Sequence, residues 1–123
     1  MTDLTEALAS AKQPDATYAA VEALVQDTIG AKLFTIMEID HNKGVARRSY
    51  TNMPDAYPAT GEKPLRDDAW SELVQDRRQT FVANSIDEIA AVFDDYELIQ
   101  SLGCESCLNL PIEVGGTGIG TLN

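Results

Sequence analysis

Cys104-Glu105-Ser106-Cys107 has the spacing of a reactive pair, because two cysteines three positions apart can pass between dithiol and disulfide. Redox pairs of that kind sit at a helix N-terminus, where the helix dipole lowers the thiol pKa. Here the pair follows a helix-stopping glycine, Gly103, and enters an apolar strand pattern. Residues three apart on a strand point to opposite faces, which is poor geometry for a bridge. Both cysteines therefore read as small buried apolar groups. His41 is the single histidine and lies in a turn between Asp40 and Asn42, without the partners a zinc site needs. Asp40, Asn42 and Gly44 echo a calcium loop, but the downstream bidentate glutamate is missing. Asp94-Asp95 reads as a helix cap. No nucleophile elbow and no phosphate-cradling glycine loop occurs. These residues predict no catalytic group, no metal and no cofactor.

A second constellation suits binding better. Arg48, Tyr50 and Asn52 alternate along one extended segment, which assigns them to one strand face. Tyr57 and Lys63 lie on the loop that follows, and Trp70 on the helix after it. Asn109 stands among apolar residues on a strand that reads as buried, and a buried amide needs partners, either main chain or ligand. Apolar walls with a few convergent donors make a small-molecule pocket. Arg48 and Lys63 suit a carboxylate or a phosphate. The predicted ligand-binding set is Arg48, Tyr50, Tyr57, Lys63, Trp70 and Asn109. The plain alternative is that Trp70 and the tyrosines are core and that Asn109 ties down the loop.

Charge singles out the same region. The chain has 123 residues and a net charge of −11, which disfavours nucleic acid and anionic membrane surfaces as partners. Residues 43–78 hold seven basic side chains against six acidic ones, whereas the remainder has only Lys12 and Lys32 against fourteen acids. The middle of the chain is thus where a small anion could be held. No apolar run is long enough to span a bilayer, and the N-terminus lacks the plan of a signal peptide. The expected location is cytoplasmic, with both thiols reduced.

The elements that must position these residues follow from periodicity. Residues 3–11 read as a short helical arm, closed by Gln13-Pro14, with 1–13 assigned to that arm. A second helix runs from an N-cap at Asp15 to about Ile29, with Gly30 as its stop. Residues 32–40 and 45–52 form a hairpin, the first strand apolar on both faces and hence central. Residues 53–64 carry three prolines and a glycine and read as an ordered, irregular loop. A helix capped by Asp67 or Asp68 follows, then a strand over 80–83. Ser85 and Glu88 form a capping box for the next helix, and a further turn of helix ends at Gly103. Ser106, Leu108, Leu110 and Ile112 share one face of a strand that turns at Val114-Gly115-Gly116-Thr117 into a return strand.

This order resembles a GAF domain, the small-molecule sensor fold related to the PAS domain, over nearly the whole chain. Leu102-Gly-Cys-Glu-Ser-Cys-Leu-Asn-Leu-Pro-Ile112 and Gly118-Ile-Gly-Thr-Leu-Asn123 resemble the GAF signature strand pair. The segments 48–58 and 61–64 are similar to small stand-alone GAF proteins with no assigned activity. The resemblance implies one α+β domain over 1–123. Its central antiparallel sheet carries helices on one face and a pocket on the other, roofed by loop and short helices. It implies a sensory, ligand-binding role and no enzyme activity. Some GAF enzymes reduce free methionine sulfoxide with loop cysteines, but residues 53–66 contain none. The chain stops before the C-terminal helix usual in the family, so the reading predicts a truncated C-terminus and self-association as a homodimer. The alternatives are a small enzyme in the same pocket, of redox or sulfoxide-reductase type, and a purely structural dimerisation module.

Overall fold

A computed structural model describes residues 4–123; Asp3, assigned above to the first helix, lies outside the described residues. The arm is a short helix, α1 (Leu4–Ala9), of which only Ala7 is buried. Helix α2 (Asp15–Thr28) begins at Asp15 itself: Pro14 occupies the cap position, and no side chain caps the helix. Its end falls as expected, with the Gly30 amide bonded to the Val25 carbonyl at 2.9 Å. Strands β1 (Thr35–Asp40) and β2 (Val45–Thr51) form the hairpin.

The proline-rich segment holds one piece of regular structure that the sequence reading denied it. β3 (Glu62–Pro64) pairs antiparallel with β2. It is an edge strand with Pro64 at its last position, where a missing amide does no harm. Asp68 then caps α3 (Ala69–Ser71) in a capping box with Ser71, and a π-helical turn (Glu72–Asp76) continues it. After β4 (Phe81–Ala83), the Ser85 hydroxyl caps α4 (Ile86–Ala90) through the Glu88 amide at 3.2 Å. The Glu88 carboxylate does not complete the predicted box; it reaches one residue further back, to the Asn84 amide at 2.7 Å. Helix α5 (Tyr96–Ser101) leads into β5 (Cys107–Val114) and β6 (Thr117–Leu122).

The six strands form one antiparallel sheet in the order β3-β2-β1-β6-β5-β4. Gly115 and Gly116 take φ of 59° and 79°, the two left-handed positions that a tight type I′ hairpin demands. The turn delivers β6 between β5 and β1, in the middle of the sheet. Gly120 makes that insertion possible, because a Cβ there would stand 2.1 Å from the Met37 carbonyl oxygen. No larger residue fits without parting β6 from β1.

Helix α2 lies on one face of β1 and β2. Tyr18 packs edge-on against Tyr50 at 6.2 Å between ring centroids, and Phe34 against Tyr50 at 5.9 Å. The Tyr18 hydroxyl donates to Glu38 at 2.8 Å and the Tyr50 hydroxyl to Glu22 at 2.6 Å. Burial, reinforced by these carboxylate partners, pushes both phenols up to about 12. The Glu38 carboxyl is held below its usual range, chiefly by the Ser49 hydroxyl that donates to it. The π-helical turn and α4 pack on the other face, around buried Val74, Ala83 and Ile89.

Two predictions follow from this packing. Gly120→Ala should lower stability by roughly 3 kcal/mol or more, since the backbone itself must move, as urea denaturation would show. The raised tyrosines give a pH signature of definite sign. A phenol whose folded pKa exceeds its unfolded value of 10.0 stabilises fully below pH 10, and that contribution is lost as pH climbs towards about 12. The urea midpoint should therefore fall across that window, and less steeply in a Tyr18→Phe/Tyr50→Phe double variant.

Candidate functional site

The face of the sheet opposite α2 carries Thr35, Met37 and Ile39 from β1, Ala46 and Arg48 from β2, and Thr121 from β6, as the cross-strand register requires. A cavity of about 980 Å³ lies over this face and continues around the end of the sheet near residues 29–33 and 103–108. Trp70, Leu65 and Phe93 line it from the covering segments, with Lys63 from β3. Among the described residues no helix is long and apolar enough to cross a membrane, and no three His, Cys, Asp or Glu side chains form a metal-binding group.

Arg48 is the unusual member of this wall. It is only 8% exposed, and among the described residues no carboxylate lies within ion-pair distance of it. Nη1 donates to the Pro58 carbonyl at 3.0 Å, and the guanidinium lies 5.0 Å from the centre of the Tyr57 ring. The loop closes on it so tightly that a Cβ at Gly61 would stand 3.1 Å from Nη1. Its Nε is sealed from solvent without an acceptor, and Nη2 has no protein partner. A cation in this position lacks the partner that normally offsets burial.

Tyr57 is buried beneath the loop, and its hydroxyl donates to the Asp95 carboxylate at the start of α5. Burial first, and that carboxylate second, hold the phenol protonated well above its ordinary pKa. Asp95 occupies the predicted cap position of α5 without a side-chain bond to the helix; its carboxylate serves Tyr57 instead.

A polar relay crosses the sheet beside this cation. The Trp70 indole N–H donates to Asn109 Oδ1 at 3.0 Å, and Asn109 Nδ2 donates to Asn123 Oδ1 at 2.8 Å. Asn123 Nδ2 reaches the hydroxyls of Thr35 and Thr121 at 3.3 and 3.2 Å. Asn109 is therefore buried and partnered by side chains, and it ties the α3 segment to the sheet. Asn123 continues the ladder with reciprocal main-chain bonds to Thr35, both 2.9 Å. Sequence reasoning missed Asn123; its only signal was an amide two residues beyond Thr121 on the same strand face.

Five of the six residues singled out from the sequence line the cavity: Arg48, Tyr57, Lys63, Trp70 and Asn109. Tyr50 does not. The alternation that placed Arg48, Tyr50 and Asn52 on one face breaks at Ser49, because Met37 pairs with Arg48 while Ile36 pairs with Tyr50. Ser49 is an unpaired bulge residue, and it turns Tyr50 onto the α2 side. Asn52 is likewise occupied elsewhere, accepting from the Phe34 amide at 2.7 Å and donating to the Lys32 carbonyl at 3.0 Å. Arg66, not singled out, stacks on Trp70 and Phe93 at 4.8 and 5.2 Å and pairs with Asp68 at 2.7 Å.

Cys104 and Cys107 are free thiols, half-buried rather than fully buried. Desolvation raises the Cys107 pKa, the opposite of what a nucleophilic thiolate requires. Cys107 opens β5, and Cys104 lies in the turn after α5.

No protein-family model matches this chain, and no curated protein matches it in sequence. Solved structures do. The GAF domain of a phosphoenolpyruvate-protein phosphotransferase from Coxiella burnetii superposes with a TM-score of 0.69 at 16% identity, covering 97% of this chain and 70% of that one. The GAF domain of a two-component sensor histidine kinase from Bacillus halodurans gives 0.66 at 15% identity, over 99% of this chain and 75% of that one. Residues 122 to 287 of a methyl-accepting chemotaxis protein give 0.66 at 19% identity, over 97% and 75%. The chain has the α+β GAF fold.

If the amide of Asn109 serves to fasten Trp70 and Asn123, Asn109→Leu should cost about 1–3 kcal/mol by leaving buried partners unmet. Chemical denaturation measures it, and an unchanged midpoint would remove Asn109 from the relay.

Proposed function

We propose that this chain is a cytosolic, non-enzymatic regulatory domain that binds a small anionic metabolite in the cavity over β1 and β2. The supporting observation is Arg48: a buried guanidinium with no carboxylate partner, lining an apolar hollow in a chain of net charge −11. A bound anion supplies the missing countercharge. The sensory role is favoured by the fold, which the chain shares with domains of a sensor histidine kinase and a chemotaxis protein. The raised Cys107 pKa weighs against thiol redox chemistry.

Binding would act on the Met53–Pro64 crossing. Arg48 holds that segment through the Pro58 carbonyl and the Tyr57 ring, and Tyr57 in turn holds Asp95 at the head of α5. A ligand that engages Arg48 alters a contact chain running from β2 to α5. Homodimerisation belongs to the same reading. Val82, Leu108 and Leu110 share the α2 side of the sheet, and their exposure supports a second copy as cover.

A thermal-shift screen against small organic acids, phosphates and neutral metabolites tests this function. An anion at a hundredfold excess over its Kd should stabilise by about 2.7 kcal/mol. Arg48→Gln should abolish that shift. If melting responds only to protein concentration, the domain is a dimerisation module and the ligand reading fails.

A further inference from the structure

Resting on the anion-binding reading, we infer the chemical class of the ligand: a monocarboxylate with an apolar body, its carboxylate on Arg48 and its body against Met37, Leu65, Trp70 and Phe93. Four cations line the cavity, but they are not equally available. Lys32 is bonded to the Gly103 carbonyl at 2.8 Å, and Arg66 is bound to Asp68 and stacked on two rings. Among the described residues, Arg48 Nη2 has no hydrogen-bond partner and Lys63 no acceptor. The register Ala46↔Lys63, with Arg48 two positions along β2, sets Lys63 on the cavity face beside Arg48 but at the exposed edge of the sheet. The donors therefore consist of one buried cation and one wet one.

That donor set matches a single carboxylate. A phosphate monoester brings nearly two charges and three strong acceptor oxygens, and it is normally met by several amides or a second buried cation. Among the described residues the cavity has no second buried cation, and the amides of Asn109 and Asn123 are committed to each other and to Trp70, Thr35 and Thr121. The wall also carries Met37, which pairs with Arg48 across the strands, and Leu65, Trp70 and Phe93. Such a surface gains by covering hydrocarbon and offers a sugar or a nucleotide little to bond.

Trp70 is the only tryptophan and lines the cavity, so its fluorescence reports occupancy. The probes are octanoate, its uncharged isostere octanamide, and octyl phosphate. Each is titrated into the unsubstituted chain, Arg48→Gln and Lys63→Gln, with thermal shift as a parallel readout. Octanoate should bind the unsubstituted chain roughly ten- to a hundredfold more tightly than octanamide, the range expected for one charge-assisted contact. Octyl phosphate should bind more weakly than octanoate. Arg48→Gln should bring octanoate down to the octanamide level while leaving octanamide unchanged, an effect that a merely structural arginine would not produce. Lys63→Gln should cost less than Arg48→Gln. Equal binding of octanoate and octanamide, or tighter binding of octyl phosphate, overturns the assignment. If Arg48→Gln does not fold, the three-probe comparison on the unsubstituted chain decides alone. Stabilisation by another anion in the metabolite screen, with no response to octanoate, sinks the carboxylate class and leaves the sensor reading standing; silence in both experiments sinks both.

Discussion

Ser49 decides which side of the sheet carries the positive charge. It has no partner on β1, so β2 bulges there, and the residues on either side of it face opposite ways. Arg48 enters the cavity, whereas Tyr50 joins Tyr18, Phe34 and Glu22 under α2. Without the bulge, strict alternation would put arginine and tyrosine on one face. On the α2 side Arg48 would meet Glu22 and Glu38 and become an ordinary ion pair. On the cavity side Tyr50 would fill the hollow, and α2 would lose the ring on which Tyr18 and Phe34 converge. One unpaired residue thus separates a helix-docking surface from a cavity wall within three positions of one strand.

The charge distribution gives the bulge its chemical consequence. The chain is strongly acidic, yet four cations and only two carboxylates, Asp95 and Glu105, line its cavity. Of those two acids, Asp95 has its carboxylate bonded to the Tyr57 hydroxyl. Tyr57 thereby stands between the opposite charges, offering the guanidinium its ring face and the carboxylate its proton. A ring face attracts a cation less strongly than a carboxylate does, and its gain grows when both are desolvated. The arrangement keeps Arg48 folded in place while leaving its charge largely uncompensated.

Much of this architecture was legible in the sequence, and the exceptions share a cause. Apolar residues on both faces marked β1 as central, paired glycines marked the β5–β6 turn, and Ser85 marked a helix start, because each is a local signal written in a few adjacent residues. The GAF resemblance was carried by segments 102–112 and 118–123, which form the β5–β6 pair inside the sheet. What escaped was set by neighbours distant in sequence. The bulge at Ser49 depends on the partner strand, and nothing in Arg48-Ser-Tyr-Thr announces it. β3 formed within a proline-rich segment because β2 had a free edge to offer. Of the candidate site, the five cavity residues were found by residue type, but the isolation of Arg48 became visible only when Asp95 proved to be engaged elsewhere.

The likeness to solved structures at 12–19% identity fixes the fold and leaves the pocket chemistry open. A shared fold accounts for the sheet and the elements packed on it, on the cavity face as well as on the α2 face. It does not explain an arginine buried there without an acid. That feature arises from this chain's own residues: a bulge that aims Arg48 inward, a glycine at 61 that lets the loop approach it, and a tyrosine that bonds the Asp95 carboxylate. A buried cation with an incomplete donor set costs stability unless something else completes it. The three devices act together to keep it incomplete, and Arg48, by its contacts with Pro58 and Tyr57, is also what holds the roof down. The wall of the cavity and its roof therefore meet at a single side chain.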